Sequence, residues 1–280
     1  MLSYRHAYHA GNSADVLKHF VIERILDYLV KKPKPCLYID THAGAGRYAL
    51  GAAIANKTAE YQSGIAQLLR ADSPPEVMQQ YLQVVKACTA QTGEWVYPGS
   101  PWVAAHCLRA NDRLALCELH PQDAPLLIEN FKRDRRVKVY CEDGFTKSLA
   151  LLPPAQRRGL TVIDPSYEIK ADYDNVVEHI KALHRRFATG VYALWYPVVE
   201  AARITRLESR FKQAGFQNTQ LFELQTYAGD KPGMYASGMI VVNAPWTLKA
   251  DVTLALPWLT QVLGQDSHAT YRAVTLCGES

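Results

Sequence analysis

The sequence predicts an α/β fold, a mostly parallel sheet of seven strands with helices on both faces. Three observations point to it. Seven short runs are apolar nearly throughout, the mark of strands buried on both faces. Most are separated by stretches in which apolar residues recur at helical spacing, the alternation that builds parallel sheets. A glycine-rich turn, THAGAGRYA, follows directly on the first run.

Residues 13–31 read as an amphipathic helix. Val16, Leu17, Phe20, Ile25, Leu26 and Leu29 recur at helical spacing, Ser13 is placed to cap, and Pro33 stops the run. The strands are CLYID (36–40), LALCEL (114–119), RVKVYC (136–141), LTVID (160–164), VYALWY (191–196), LFELQTY (221–227) and MIVVNA (239–244). Residues 173–187 and 200–214 supply two of the helices between them. The seventh run follows the sixth without room for a helix, so it should lie antiparallel to it. From 50 to 96 no strand pattern occurs, and 60–70 and 76–90 look helical. A small helical lobe at about 51–96 is therefore expected to interrupt a single domain spanning 1–280.

Of the 280 residues, 48% are hydrophobic and 21% charged, an ordinary globular balance. The net charge of +4 gives no basic tail that announces nucleic acid. Cys36, Cys88, Cys107, Cys117, Cys141 and Cys277 are scattered without a Cys-x-x-Cys pair, which favours free thiols in a reducing cytoplasm. The start, MLSYRHAYHAGNS, has no apolar core of signal-peptide length, and no later run approaches a membrane span.

Gly44 and Gly46 let backbone approach a ligand, and the helix start after such a turn offers unpaired N–H groups. Gly44-x-Gly46-x-x-Ala49 also satisfies the dinucleotide pattern, so a nicotinamide enzyme has to be weighed. The acids at the other strand ends decide. Glu118, Asp143-Gly144 and Asp164 close three successive strands, and ligands of open α/β sheets sit over those ends. One such acid is usually a helix cap. Three beside a glycine turn repel a pyrophosphate and suit the sulfonium cation of S-adenosylmethionine. Glu118 would accept from the ribose hydroxyls and Asp143 from the adenine amino group.

The fourth strand runs into Asp164-Pro165-Ser166-Tyr167. An exocyclic amino group is a poor nucleophile because its lone pair is delocalised into the ring. Two acceptors on its hydrogens, the Asp164 carboxylate and the Pro165 carbonyl, favour the tetrahedral nitrogen of methyl transfer, the charged one more strongly. Tyr167 offers a stacking face worth roughly 1–3 kcal/mol. Ser166 stands where one proline more would complete Asp-Pro-Pro-Tyr, a known methyl-transfer motif. Serine keeps both acceptors and loosens Pro165, which a following proline would hold extended.

These residues resemble the RlmJ family, bacterial N6-adenine methyltransferases of 23S ribosomal RNA. The resemblance spans nearly the whole chain and is most specific in YRHAYHAGNSADVLKH, LYIDTHAGAGRY, YPGSP (97–101) and RRGLTVIDPSYE followed by RFATGVYALWYP. It implies a Rossmann-like class I methyltransferase with a helical lobe after the first strand, using S-adenosylmethionine and no metal. It implies a donor site lined by Lys18, His19, His42, Ser100, Glu118, Asp143, Gly144 and Asp164. Asp164 would be catalytic, and Tyr4 would help admit substrate. The family's target is adenine-2030, methylated before ribosome assembly is complete, so the implied partner is naked or partly assembled 23S rRNA. Ser166 departs from the family's proline.

His106, His120, His179, His184 and His268 read as surface or satisfied core residues, and His6-x-x-His9 with His19 lacks the acid or cysteine that completes a metal shell. An adenine held in a duplex would have to be flipped out to reach the pocket. Lys132-Arg133, Arg135-Arg136, Arg157-Arg158, Arg185-Arg186 and the 203–212 run are candidate backbone contacts, each more readily a solvated face. The loop 226–238, with Lys231, should overhang the crevice on the substrate side. A DNA adenine methyltransferase, a protein-glutamine methyltransferase and an inactive RNA-binding scaffold remain alternatives. A monomer is expected.

Overall fold

The structure, a computed structural model, describes residues 5–92, 94–169, 171–230 and 233–278. A 3₁₀ turn at His6–Tyr8 leads into the first α-helix, α1 (Ser13–Val30), which buries Leu17, Phe20 and Ile25 but also Asp15, Lys18, His19 and Glu23. The cap is Asn12, not Ser13. Asn12 holds the extended backbone of a cap, and its side chain accepts from Asp15 N at 2.9 Å.

After β1 (Leu37–Asp40) the chain forms β2 (Arg47–Ala49), then helices α2 (Ala53–Asn56), α3 (Ile65–Arg70) and α4 (Glu76–Thr92), and returns through β3 (Val96–Pro98). β2 and β3 pair antiparallel as a sheet of their own, so the helical interval leaves and rejoins the fold at one place. Helix and strand then alternate: α5 (Ser100–Cys107), β4 (Arg113–Cys117), α6 (Asp123–Phe131), β5 (Val137–Tyr140), α7 (Gly144–Leu151), β6 (Gly159–Ile163), α8 (Asp172–Arg186), β7 (Val191–Val198) and α9 (Ala201–Gln213). The chain ends with β8 (Thr219–Gln225), β9 (Ala236–Val242), α10 (Leu248–Leu263) and β10 (Thr270–Cys277).

Among the described residues the main sheet has eight strands, in the order β10-β8-β9-β7-β6-β1-β4-β5. β1, β4, β5, β6 and β7 are mutually parallel, and β9 lies antiparallel between β7 and β8, as the missing helix before it required. The expectation of seven strands is corrected by β10, which pairs antiparallel with β8 at the edge. Its segment TYRAVTLC mixes polar and apolar residues because an edge strand is covered less completely, so a search for continuous apolar runs passes over it.

Successive residues of one strand serve two cores. Tyr38 packs with the α1 and α10 side of the sheet, and Ile39 with the α8 and α9 side. No described helix is long and apolar enough to cross a membrane. Ile180 of α8 is fully buried in the second core. Ile180→Ala should lower stability by about 2–5 kcal/mol, measured by urea unfolding, by lost burial plus a cavity.

Candidate active site

Because β1, β4 and β6 run parallel in register, their carboxyl ends reach one edge of the sheet together. That edge opens into a cavity of about 550 Å³. Lys18, His19, His42, Gly44, Ser100, Glu118, Asp143, Asp164 and Pro165, all predicted from the sequence, line it. Ser166, which that reading took as the departure from the family motif, lines it too, with His6, Tyr48, His120, Asp123, Phe145, Glu168, Ile169 and Asp172.

A buried ammonium sits at its base. Lys18 Nζ lies 2.6 Å from Asp164 Oδ2 and 2.9 Å from Asp15 Oδ1, with the Trp195 ring 5.5 Å away. Burial pulls the Lys18 pKa down, and the charges of Asp15 and Asp164 overturn this and hold it above the ordinary lysine value. Burial likewise pushes Asp15 up, and the charges of His6 and Lys18 bring it well below the usual carboxylate range. Asp164 Oδ1 has no hydrogen-bond partner among the described residues.

The glycine turn is tied to the second acid. Gly44 has φ of +60°, where a side chain is strained, and a Cβ there would have to displace the Tyr48 hydroxyl, 2.1 Å away, so glycine is strongly favoured. Gly44 N donates to Glu118 Oε2 at 2.7 Å, and His120 N to Oε1 at 2.7 Å, leaving each oxygen a further lone pair. Gly46 lies behind the turn against Phe131, and Gly144 packs on Thr41, so neither lines the cavity. Asp143 does both things weighed for it, lining the cavity and capping α7, where it accepts from Thr146 N at 2.7 Å.

Asp40 is fully buried at the end of β1 and accepts from Tyr38 Oη and Ser100 Oγ, both at 2.7 Å. The Ser100 hydroxyl proton is therefore spent, and its oxygen offers only lone pairs. The Thr41 hydroxyl donates to Val162 O at 3.1 Å, so its contact with His42 Nδ1 at 2.8 Å needs the proton on Nδ1. Burial pushes the His42 pKa down to about 4, which leaves the ring neutral at pH 7 with Nε2 as its acceptor. His19 meets Tyr97 Oη at 2.9 Å, and burial lowers it to about 3.

Tyr167 is placed differently from the sequence reading. It does not line the cavity; its hydroxyl donates to Trp195 O at 2.7 Å and its ring packs on Tyr173 at 4.6 Å. Its φ of +54° is uncommon for a side chain of this size. Tyr4 and Lys231 lie outside the described residues. Several arginines proposed for RNA are spent on the fold: Arg158 binds Leu29 O and Lys34 O, Arg136 binds Asp134 and Ala105 O, and Arg210 pairs with Asp174 and Glu178. Sequence reasoning missed Asp15 and Asp40. The signal for Asp40 was its place as the last residue of an apolar run. Asp15 lay in the first turn of a helix read only for its apolar stripe.

Residues 33–275 match the family described as ribosomal RNA large subunit methyltransferase D, RlmJ. The chain is 48% identical over 273 residues to ribosomal RNA large subunit methyltransferase J of Escherichia coli strain K12, covering 96% of this chain and 98% of that protein. It is 46% identical to the protein of the same name from Haemophilus influenzae, over 94% of both chains. A Legionella pneumophila protein of known crystal structure superposes with a TM-score of 0.87 at 36% identity, covering 95% of this chain and 98% of that one.

Buried His42 and His179, each pushed down to about 4 chiefly by burial, set a pH dependence. Between about pH 4 and 6.5 the unfolded chain binds protons that the folded one refuses, so stability rises with pH across that window. The thermal midpoint should fall as pH is lowered from 6.5 to 4, and His42→Gln should flatten part of that slope. An unchanged slope would contradict the assignment of His42 as neutral.

Proposed function

Because the chain belongs to the RlmJ family of ribosomal RNA large subunit methyltransferases, we propose that this cavity transfers the methyl group of S-adenosylmethionine to the N6 amino group of an adenine in 23S rRNA. The observation that carries this reading is Asp164, fixed through one oxygen by a buried cation, its other oxygen without a hydrogen-bond partner among the described residues, at a cavity that its neighbour Pro165 also lines.

The residues fit the donor. A glycine turn gives close backbone approach, and the Lys18 ammonium of the lining is already paired to Asp15 and Asp164, so the cavity favours a ligand that donates hydrogen bonds over a pyrophosphate. Glu118 would hold the ribose hydroxyls, Asp143 the adenine amino group, and Ser100 Oγ a donor hydrogen of the methionine end. When bound, S-adenosylmethionine supplies an electrophilic methyl group on a sulfonium.

The remaining work falls to the protein. Asp164 Oδ1 and the Pro165 carbonyl accept from the two amino hydrogens and draw the nitrogen towards tetrahedral geometry. Lys18 stays charged and holds Asp164 in one orientation, so no reorganisation is needed at the moment of reaction. The positive charge that develops on nitrogen faces the carboxylate, and the surplus proton passes to water.

The exposed segment Glu168-Ile169 at the rim is the approach for RNA, and an adenine in a duplex reaches the site by leaving its stack at a cost of a few kcal/mol. Tyr167, bound to Trp195, supports the turn from behind, and the stacking role read from its ring alone is set aside. The helical interval 51–96 is proposed as a lobe of the same single unit, which acts in the cytoplasm as a monomer.

Purified protein with labelled donor should methylate naked 23S rRNA, and mass spectrometry of the digested RNA should find N6-methyladenine, at the family's adenine-2030. Asp164→Ala should lose on the order of a hundredfold or more in kcat. Ser166→Pro should keep or improve turnover. Methyl transfer to DNA or protein in preference to RNA, or an undiminished Asp164→Ala, would overturn the proposal.

A further inference from the structure

One buried carboxylate beside the cavity takes no part in those steps. Asp15 is 1% exposed, on the first turn of α1. Its Oδ2 accepts from Gly11 N at 2.9 Å and meets His6 Nε2 at 2.8 Å, while its Oδ1 lies 2.9 Å from Lys18 Nζ. Asp15 is not in the lining, yet His6 and Lys18 are. It stands directly behind two side chains that face the reaction space.

The arrangement has an electrostatic consequence. An ammonium paired to Asp164 alone would neutralise that carboxylate and weaken it as an acceptor. With a second carboxylate on the ammonium, the Lys18 charge is not spent on Asp164 alone, and Asp164 Oδ1 keeps more of its acceptor strength. The second partner also removes the freedom of Lys18 to swing away from Asp164.

We propose that Asp15 is a positioning residue for methyl transfer, one that fixes Lys18 against a single oxygen of Asp164 and shares its charge. This rests on the reading of Asp164 as the acceptor for the amino group. Part of what Asp15 does is structural, since its bond to Gly11 N shapes the entry to α1. Asparagine keeps that bond through its carbonyl oxygen. It loses the charge, and its amide donors cannot accept from Lys18.

The test compares Asp15→Asn, Asp15→Glu, Lys18→Met and the double variant Asp15→Asn/Lys18→Met in single-turnover methyl transfer to 23S rRNA. Affinity for S-adenosylhomocysteine is measured alongside. Asp15→Asn should lower the methyl-transfer rate on the order of tenfold to a hundredfold, with affinity for S-adenosylhomocysteine little changed. The double variant should be no slower than Lys18→Met, because Asp15 acts through Lys18; additive losses would overturn the proposal.

The pH profile gives a readout that a structural role would not move. Among the described residues, the charged and titratable groups that interact with Lys18 are Asp15 and His19 on its own helix, Tyr81 of α4 and Asp164 after β6, with the Trp195 ring of β7 beside them. With Asp15 uncharged, burial of Lys18 is opposed by Asp164 alone, so the alkaline limb should move to lower pH. Asp15→Glu, which restores the charge, should leave that limb in place. Full activity in Asp15→Asn with an unmoved limb would refute the role.

Should Asp15→Asn not fold, NMR of the Lys18 ammonium in the unaltered protein decides. It should remain protonated above the ordinary lysine pKa of about 10.4, and titration at or below that value would overturn the charge sharing. Absence of methyl transfer to any RNA by the unaltered protein would instead count against the functional reading. The NMR result bears on the Asp15–Lys18–Asp164 arrangement alone.

Discussion

The site depends on one buried cation. Lys18 is 4% exposed and reaches from α1 to the end of β6, two parts of the chain that meet only in the folded state. Taking an ammonium out of water costs several kcal/mol unless carboxylates compensate it, so Lys18 penalises every packing of α1 that does not bring it to Asp164. The same contact that sets the helix against the sheet also orients the carboxylate. Stability and chemistry share a single geometric requirement here.

The parallel sheet supplies the rest. Register between β1, β4 and β6 brings the acids that follow them to one edge, where no single strand could assemble them. Gly44 then ties that edge together, since its N–H holds Glu118 at a point where a side chain would strike Tyr48. Buried histidines of the wall stay neutral, so the carboxylates and Lys18 dominate the local field.

Much of this was legible in the sequence because it rests on local pattern. Buried parallel strands read as apolar runs, and the acids after them read as strand-end residues, so Glu118, Asp143 and Asp164 are marked by the sequence pattern itself. What stayed hidden depends on long-range contact. Asp15 has no local mark, since its partners His6 and Lys18 become meaningful only once Lys18 finds Asp164, 146 residues away. Tyr167 looked like an open ring beside Pro165, and only the fold puts the Trp195 carbonyl within reach of its hydroxyl. The arginine pairs looked equally basic, but Arg158 and Arg136 are consumed by carbonyls brought from distant helices and loops. β10 was missed because an edge strand lacks the all-apolar signature.

The central claim is that Asp164 and the Pro165 carbonyl grip an amino group while Lys18 holds Asp164 from the other side. A crystal structure of the protein with S-adenosylhomocysteine and an adenosine-containing RNA fragment tests it most directly. The account predicts the adenine N6 within hydrogen-bond distance of Asp164 Oδ1 and Pro165 O, with Lys18 still on Oδ2. An adenine whose amino group faces away from both oxygens, or a Lys18 released from Asp164 in that complex, would contradict it.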